Sequence, residues 1–214
     1  MRAGRAMGLS AAALTAGLDA VAAIEPAFAA AIERVGYPAP RIRATGYATL
    51  LRTIVGQQVS VRAADSVWRK LAERGDPGDP ALVTALSDEE LRACGFSRQK
   101  TGYARSLAGL VTSGALDLAA LPADDEEAIA QLVAVKGIGR WSAEVYLLFA
   151  EGRPDIWPAG DLAVQIETGR ILGHAERPSE KLTRALAEPW RPHRGAAAIF
   201  TWHHYGGGAD AAPV

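Results

Sequence analysis

Residues 132–150, LVAVKGIGRWSAEVYLLFA, contain two helical segments separated by a pair of glycines. Gly137 and Gly139 permit positive φ and bring the backbone close to another molecule, while Ile138 between them is expected to pack inside the turn. The N–H groups at the start of the second helix lack intrahelical acceptors, and such a helix start favours an anion, above all phosphate. An ordinary αα-hairpin turn without a ligand is the alternative that these residues alone leave open.

The segments on either side of this hairpin are also helical. Hydrophobic residues recur at the helical period, alanine, leucine and glutamate dominate, and β-branched alternation is scarce. Helix starts are marked by Ser60, by Ser97 and by Ser87 with Glu90, which have the spacing of a capping box. We therefore predict an all-α bundle of about ten helices joined by tight turns. The predicted helices include residues 18–24, 47–57, 61–74, 98–112, 141–151, 162–172, 179–187 and 194–205.

The amino-acid composition excludes several classes of protein and site. A chain of 214 residues with 49% hydrophobic residues can bury a sizeable core, as one large domain or two small ones. Its 23 basic and 24 acidic residues give a net charge of −1, which by itself demands neither a nucleic acid nor an anionic membrane. The single cysteine, Cys94, excludes an intramolecular disulfide and an iron–sulfur cluster and favours a reducing compartment. No apolar run approaches the roughly 20 residues that span a bilayer.

Four blocks of sequence resemble the helix-hairpin-helix DNA glycosylases. After the hairpin comes DIWPAGD, residues 155–161, in which Asp161 lies 20 residues beyond Trp141. The blocks IVGQQVSVRAA (54–64), GFSRQKTGYARSLAGL (95–110) and PWRPHRGAAAIFTW (189–202) are similar to the 3-methyladenine DNA glycosylase II branch, which repairs alkylated bases. The resemblance covers the chain beyond about residue 40 and implies a two-lobed all-α fold with the active cleft between the lobes.

The resemblance also implies how the chain is divided. One lobe is expected at about 45–155 and the other from 1–44 together with 156–214. Larger members of the family carry an N-terminal β domain, and the residues that precede the matching region are too few to form one.

The implied activity is hydrolysis of the N-glycosidic bond of a damaged base flipped out of double-stranded DNA. Alkylated purines such as 3-methyladenine and 7-methylguanine are the expected substrates. Family members that also cleave the strand use a Schiff-base lysine where this chain has Trp141, so a monofunctional enzyme is implied. A glycosylase for deaminated or oxidised bases and a non-enzymatic DNA-binding module are the alternatives. We expect a cytoplasmic, nucleoid-associated bacterial-type monomer without a required cofactor or a membrane partner.

Asp161 is the implied catalytic residue. A fixed carboxylate stabilises the positive charge that develops on the sugar, and it can orient or deprotonate the attacking water. Its place before the helix at Leu162 equally suits an N-cap, and both roles can hold together. Gly160 stands where the family frequently has a first aspartate, and Asp155 is expected to be structural. The base pocket is expected among Trp141, Trp202, Tyr146, Trp157 and Tyr47, whereas Trp190 is assigned to the core.

The resemblance implies several DNA contacts. Main-chain N–H groups of Gly137, Gly139 and Ser142 would hold phosphate, and main-chain carbonyls of Val133, Val135 and Ile138 would hold a sodium or potassium ion. Gln58 is the implied wedge that fills the emptied base stack, although an exposed turn glutamine would look the same in the sequence. Lys136 and Arg140 flank the hairpin.

A basic face is also predicted from local charge. The segment 191–208 contains basic residues and no acid, and four further cations are expected to extend it. The set is Arg191, His193, Arg194, His203 and His204, joined by Arg98, Lys100, Lys136 and Arg140.

Overall fold

The all-α prediction is confirmed by a computed structural model, which describes residues 8–208. These residues form twelve α-helices, one π-helix and one 3-10 helix. The α-helices are α1 Ala11–Ile24, α2 Pro26–Val35, α3 Tyr47–Gly56, α4 Val61–Ala72, α5 Pro80–Ala85, α6 Asp88–Cys94, α7 Arg98–Thr112, α8 Asp125–Val133, α9 Arg140–Tyr146, α10 Leu162–Ile171, α11 Glu180–Leu186 and α12 Arg194–Tyr205. The π-helix is Leu147–Glu151 and the 3-10 helix is Glu188–Trp190.

Within the described residues the chain forms two compact units. The first unit is Ala44–Tyr146, and the second unit combines residues 8–43 with residues 147–208. The first unit ends at Tyr146, whereas a boundary near residue 155 was expected. Phe149 belongs to the second unit because it packs against Trp202 and its carbonyl accepts a hydrogen bond from the Arg43 N–H. Residues 1–7 and 209–214, the ends of the predicted 1–44 and 156–214 segments, lie outside the described residues.

Short helices in the first unit begin at side-chain caps, as predicted. Ser60 and Ser97 accept hydrogen bonds from the third residue of α4 and α7, and Ser87 with Glu90 forms the complete capping box of α6. Helix α5 was not predicted because it is short and begins at the last residue of the connector GDPGDP, residues 75–80. Its start is marked by Asp79, which accepts from the Ala81 N–H at 2.9 Å. Leucine and isoleucine side chains of α3 form the buried centre of this unit.

The second unit is built around an aromatic cluster. Trp190 contacts Phe28 and Trp157 edge to face, at ring-centroid distances of 4.8 Å and 5.5 Å, which confirms the assignment of Trp190 to the core. Helix α1 begins seven residues earlier than predicted, because Ser10 caps it by accepting from the Ala13 N–H. Within residues 8–208 no helix is long and apolar enough to cross a membrane.

Candidate active site

The predicted hairpin is present in the first unit. Helix α8 ends at Val133, the chain turns through Gly137, Ile138 and Gly139, and α9 begins at Arg140. The Ile138 side chain is buried inside the turn as expected, and its N–H donates to the Val135 carbonyl at 3.0 Å. The Ala143 N–H donates to the Gly139 carbonyl at 3.0 Å, which closes the first turn of the helix.

The two hairpin glycines have different reasons to be glycine. Gly137 has a φ of +86°, and a Cβ added there would lie 2.2 Å from the ring of Tyr103. Gly139 has no positive φ, and an added Cβ would meet no atom within 4 Å. The expectation that both glycines use positive φ is therefore wrong for Gly139. Its small size leaves open space over the exposed backbone at the start of α9.

A neighbouring turn is joined to the hairpin by a residue that the sequence did not single out. The Gln57 side-chain amide donates to the Gly137 carbonyl at 2.8 Å. Gln58, the predicted wedge, follows it with an exposed side chain and a φ of +56°, a conformation that non-glycine residues seldom adopt. The hairpin contact of Gln57 thus holds one end of the turn that presents Gln58.

Arg140, which is predicted to contact DNA, is paired with two carboxylates beside the hairpin. Its guanidinium binds both carboxylate oxygens of Glu126, at 2.8 Å and 2.5 Å, and donates to the buried Glu144 at 2.9 Å. These two carboxylates raise the pKa of Arg140, the Glu126 hydrogen bonds most strongly. These two carboxylates offset the positive charge of Arg140. Lys136, by contrast, is exposed.

The predicted basic face of residues 191–208 is likewise neutralised by tertiary contacts. Arg194 is buried and binds both oxygens of Asp155, at 2.8 Å and 2.9 Å, and also Glu188 at 3.0 Å. Arg191 pairs with the same two acids. The structural role expected for Asp155 is confirmed, and the cationic face is not formed because these acids lie outside the segment in sequence but beside it in space.

Other members of the predicted basic set also have structural contacts. The buried ring of His203 meets the Val35 carbonyl through Nε2 at 3.1 Å, and His204 lies between Glu167 and Arg34. The Lys100 ammonium donates to the Val55 carbonyl at 2.7 Å, and partial burial lowers its pKa. Arg98 keeps an exposed side chain.

Asp161 lies at the N-terminus of α10 in the second unit, where it has the N-cap role that the sequence allowed. Its Oδ1 accepts from the Val164 N–H at 3.0 Å, which is the N-cap contact. The same oxygen accepts from the Trp202 indole N–H at 3.2 Å. The preceding loop is closed by the Asp161 N–H on the Pro158 carbonyl at 2.9 Å. Cap, loop and indole together hold this carboxylate in one orientation.

Asp161 is the first of four residues in consecutive contact, followed by Trp202, Phe149 and Arg43. Trp202 is 1% exposed and lies against Phe149, with ring centroids 5.5 Å apart. The Arg43 guanidinium lies over the Phe149 ring, 5.5 Å from its centroid. Burial and the positive charge of neighbouring Arg41 lower the pKa of Arg43. Phe149 and Arg43 were missed in the sequence, since one sits in an apolar helical run and the other in an irregular connector.

The remaining predicted pocket residues separate into core and site candidates. Trp157, one of the predicted base-pocket residues, is buried: its ring packs against Trp190 and its indole N–H donates to the Thr183 carbonyl at 3.1 Å. Tyr146 is buried and its hydroxyl accepts from the Gly46 N–H at 2.8 Å. Trp141, at the start of α9, keeps 37% of its surface exposed. Tyr146 and Trp141 belong to the first unit.

Tyr47 is the most unusual of these aromatic residues. It is 5% exposed, and among the described residues its hydroxyl has no hydrogen-bond partner. Burial raises the pKa of the phenol well above its usual value, and the nearby charge of Asp79 adds to the effect. A buried hydroxyl without a partner is uncommon, because its desolvation is not repaid.

Gly160 lies next to the acidic side chain of Glu180. A Cβ added to Gly160 would point at the carboxylate of Glu180, 3.5 Å from Oε2. A first aspartate at this place would therefore meet an acid that is already present, which is disfavoured by like-charge repulsion.

Comparison with known proteins identifies the family of this chain. Residues 51–192 match the family of HhH-GPD superfamily base excision DNA repair proteins, and the chain belongs to that superfamily. DNA-3-methyladenine glycosylase 1 of Schizosaccharomyces pombe is 30% identical over 161 residues, which are 73% of this chain and 71% of that protein. A putative DNA-3-methyladenine glycosylase of Bacillus subtilis is 26% identical, over 73% of this chain and 58% of its own.

Solved structures show the same fold. The crystal structure of DNA-3-methyladenine glycosidase from Bacillus halodurans has a TM-score of 0.82 and 30% identity, and the match covers 89% of each chain. The Schizosaccharomyces pombe 3-methyladenine DNA glycosylase in complex with abasic DNA has a TM-score of 0.74 and 27% identity, covering 88% of this chain and 95% of that one.

Proposed function

We propose that this protein is a monofunctional DNA glycosylase that hydrolyses the N-glycosidic bond of alkylated purines, such as 3-methyladenine and 7-methylguanine, in double-stranded DNA. The observation that carries the proposal is the Asp161 carboxylate, held by the Trp202 indole N–H and the Val164 N–H beside an aromatic surface. It is supported by membership in a base excision repair superfamily and by relatives named as 3-methyladenine glycosylases.

The chemistry follows from charge. Methylation at a purine ring nitrogen makes the base cationic and therefore a good leaving group, and an aromatic face attracts such a cation. As the bond to the sugar breaks, positive charge moves onto the sugar ring, where a fixed carboxylate stabilises it more in the transition state than in the ground state. Asp161 supplies that carboxylate, and it also orients or deprotonates the water that attacks the sugar.

DNA would be held through the hairpin. The N–H groups of Gly137, Gly139 and Ser142 are the proposed phosphate donors, which contact the backbone without reading sequence. Gln58, exposed on the turn that Gln57 joins to the hairpin, is the proposed wedge. The relative solved with abasic DNA supports binding to damaged duplexes.

We also propose that carbonyls of the hairpin hold a monovalent cation. Carbonyls at the C-terminal end of α8, including that of Val133, lie where intrahelical donors run out. The Val135 carbonyl accepts from Ile138 and keeps a second lone pair for a ligand. A sodium or potassium ion held by Val133, Val135 and Ile138 would supply positive charge next to a bound phosphate.

Asp161→Asn tests the catalytic assignment. The amide preserves the cap but loses the negative charge, so release of 3-methyladenine and 7-methylguanine from methylated DNA should fall by at least about a hundredfold. Binding to abasic-site DNA should stay close to wild type. The matched control is Asp79→Asn, which changes another helix-capping aspartate and should leave release unchanged. Full activity in the Asp161 variant would overturn the proposal.

Absence of strand cleavage is a separate part of the proposal. Trp141 has no amine with which to form a Schiff base, so duplexes incubated with the enzyme should show breaks only after treatment with alkali. Including deaminated and oxidised bases in the same panel measures the lesion range. Breaks without alkali would exclude a monofunctional enzyme, and binding without release of any base would favour a non-enzymatic DNA-binding module.

A further inference from the structure

A shallow depression lies on the first unit between α3 and α4, outside the hairpin. It encloses about 710 Å³. We call it the α3–α4 depression; its lining residues are Arg52, Val61, Arg62, Asp65, Trp68 and Arg69. With three arginines around a single carboxylate, its charge is positive on balance.

The arginines of the α3–α4 depression have distinct surroundings. Arg52 is held in place, since its guanidinium pairs with Asp65 and lies 5.2 Å from the centroid of the Trp68 ring. Arg62 and Arg69 are exposed and make no ion pair with a carboxylate of residues 8–208. They are seven positions apart on α4, which places them on one face of the helix. Two guanidinium groups are thus available to an anionic partner.

The depression is close along the chain to the predicted wedge. Arg62 follows Gln58 by four residues, a stretch that spans at most about 14 Å even when fully extended. Duplex DNA carries one phosphate charge for roughly every 1.7 Å of its axis. A duplex that meets Gln58 therefore presents several phosphates within reach of Arg62. Gln57, tied to Gly137, keeps the same turn next to the hairpin.

We infer that the α3–α4 depression is a second phosphate-binding surface for the DNA backbone. Arg62 and Arg69 contact phosphates, and Arg52 with Trp68 forms a fixed part of the lining. This inference rests on the proposed function, because it takes Gln58 to meet a duplex. The charge of the depression suits any polyanion, and its continuity with the wedge turn favours DNA over an acidic protein.

The inference is tested with the double variant Arg62→Gln/Arg69→Gln. Affinity for an abasic-site duplex is measured at several salt concentrations, and the slope of log K against log salt should become less steep by about 0.9 for each phosphate that is no longer neutralised. Lys70→Gln/Arg92→Gln is the matched control, since it removes the same charge from exposed positions of the first unit outside the depression. The control should keep the wild-type slope. Circular dichroism spectra and melting temperatures should stay unchanged in both.

Three outcomes would overturn the inference. The first is an unchanged slope in the Arg62/Arg69 variant, and the second is an equal change in the control, which would reflect net charge alone. The third is an unchanged DNA slope together with abolished binding to polyglutamate, which would make the depression a surface for an acidic protein. Wild-type base release is measured in parallel. If wild-type protein neither binds the duplex nor releases a base, the proposed function itself has failed.

Discussion

At the scale of single residues, Asp161 is the N-cap of α10 and, in the proposed mechanism, also the catalytic carboxylate. The N-cap contact with Val164 and the indole contact with Trp202 both reach Oδ1 and fix the direction of the carboxylate. A preorganised carboxylate costs little reorganisation when charge develops on the sugar. The bond from Trp202 is therefore expected to matter more for rate than for folding.

Trp202→Phe tests that expectation. The variant keeps a large aromatic ring but loses the N–H that donates to Asp161. A hydrogen bond to a charged group contributes about 1.5–3 kcal/mol, so single-turnover release of 7-methylguanine should slow by about tenfold or more. DNA affinity should change little. An unaltered rate would show that the indole N–H does not position the carboxylate.

Tyr47→Phe tests the partnerless hydroxyl. Removing a buried oxygen without a partner should raise the free energy of unfolding at pH 7 by about 1 kcal/mol, measured by urea unfolding. If the hydroxyl instead donates to a flipped base, release should slow in the same variant. Unchanged release would exclude a role for the Tyr47 hydroxyl in binding the base.

The raised pKa of Tyr47 gives this variant a pH signature. In the unfolded chain the phenol ionises near pH 10, whereas burial keeps it protonated in the folded protein. The unfolded state is therefore favoured as pH rises above about 10, and stability falls there. The phenylalanine variant should lose less stability than wild type over that alkaline range.

At the scale of secondary-structure elements, the hairpin illustrates how two glycines in one motif differ. The fold of the hairpin requires glycine at position 137, because its φ is positive and an added Cβ would clash with the Tyr103 ring. Gly139 is exposed, and a Cβ added there would meet no atom within 4 Å, so packing of the fold does not require a glycine at this position.

Paired alanine variants separate these roles. Gly137→Ala should lower the free energy of unfolding by about 2–4 kcal/mol, because strain and a clash are combined. Gly139→Ala should cost less than about 1 kcal/mol but should weaken binding to abasic-site DNA, since its methyl group would keep phosphate away. Equal loss of stability in the two variants would contradict this division.

The ion cluster between the 155–161 loop and α12 is the second informative element. Arg194 is buried between Asp155 and Glu188, so Arg194→Gln leaves acids without their partner. Breaking a buried pair is costly, and we expect the free energy of unfolding to fall by about 3 kcal/mol in thermal or urea unfolding. DNA affinity should be unchanged at temperatures where the variant is folded. A selective loss of affinity would restore Arg194 to the DNA surface.

At the scale of the whole molecule, net charge alone is a poor guide to a nucleic-acid partner. The chain carries a net charge of −1, yet many of its cations are used internally, as the pairs of Arg140 and Arg194 show. The proposed interface with DNA then consists of backbone N–H groups at the hairpin, the exposed Lys136 and a few exposed arginines. Such an interface predicts modest, salt-sensitive affinity for undamaged DNA.

The sequence by itself determined the helical class, the helix caps, the hairpin and the position of Asp161. Each of these depends on residues close together in the chain, where periodicity, capping spacing and glycine placement act directly. Only the tertiary structure decided which cations are paired with acids and what holds the Asp161 carboxylate. Gln57 binds Gly137 across 80 positions, and Trp202 binds Asp161 across 41. Contacts over such separations are set by packing of the folded chain, and no local pattern encodes them.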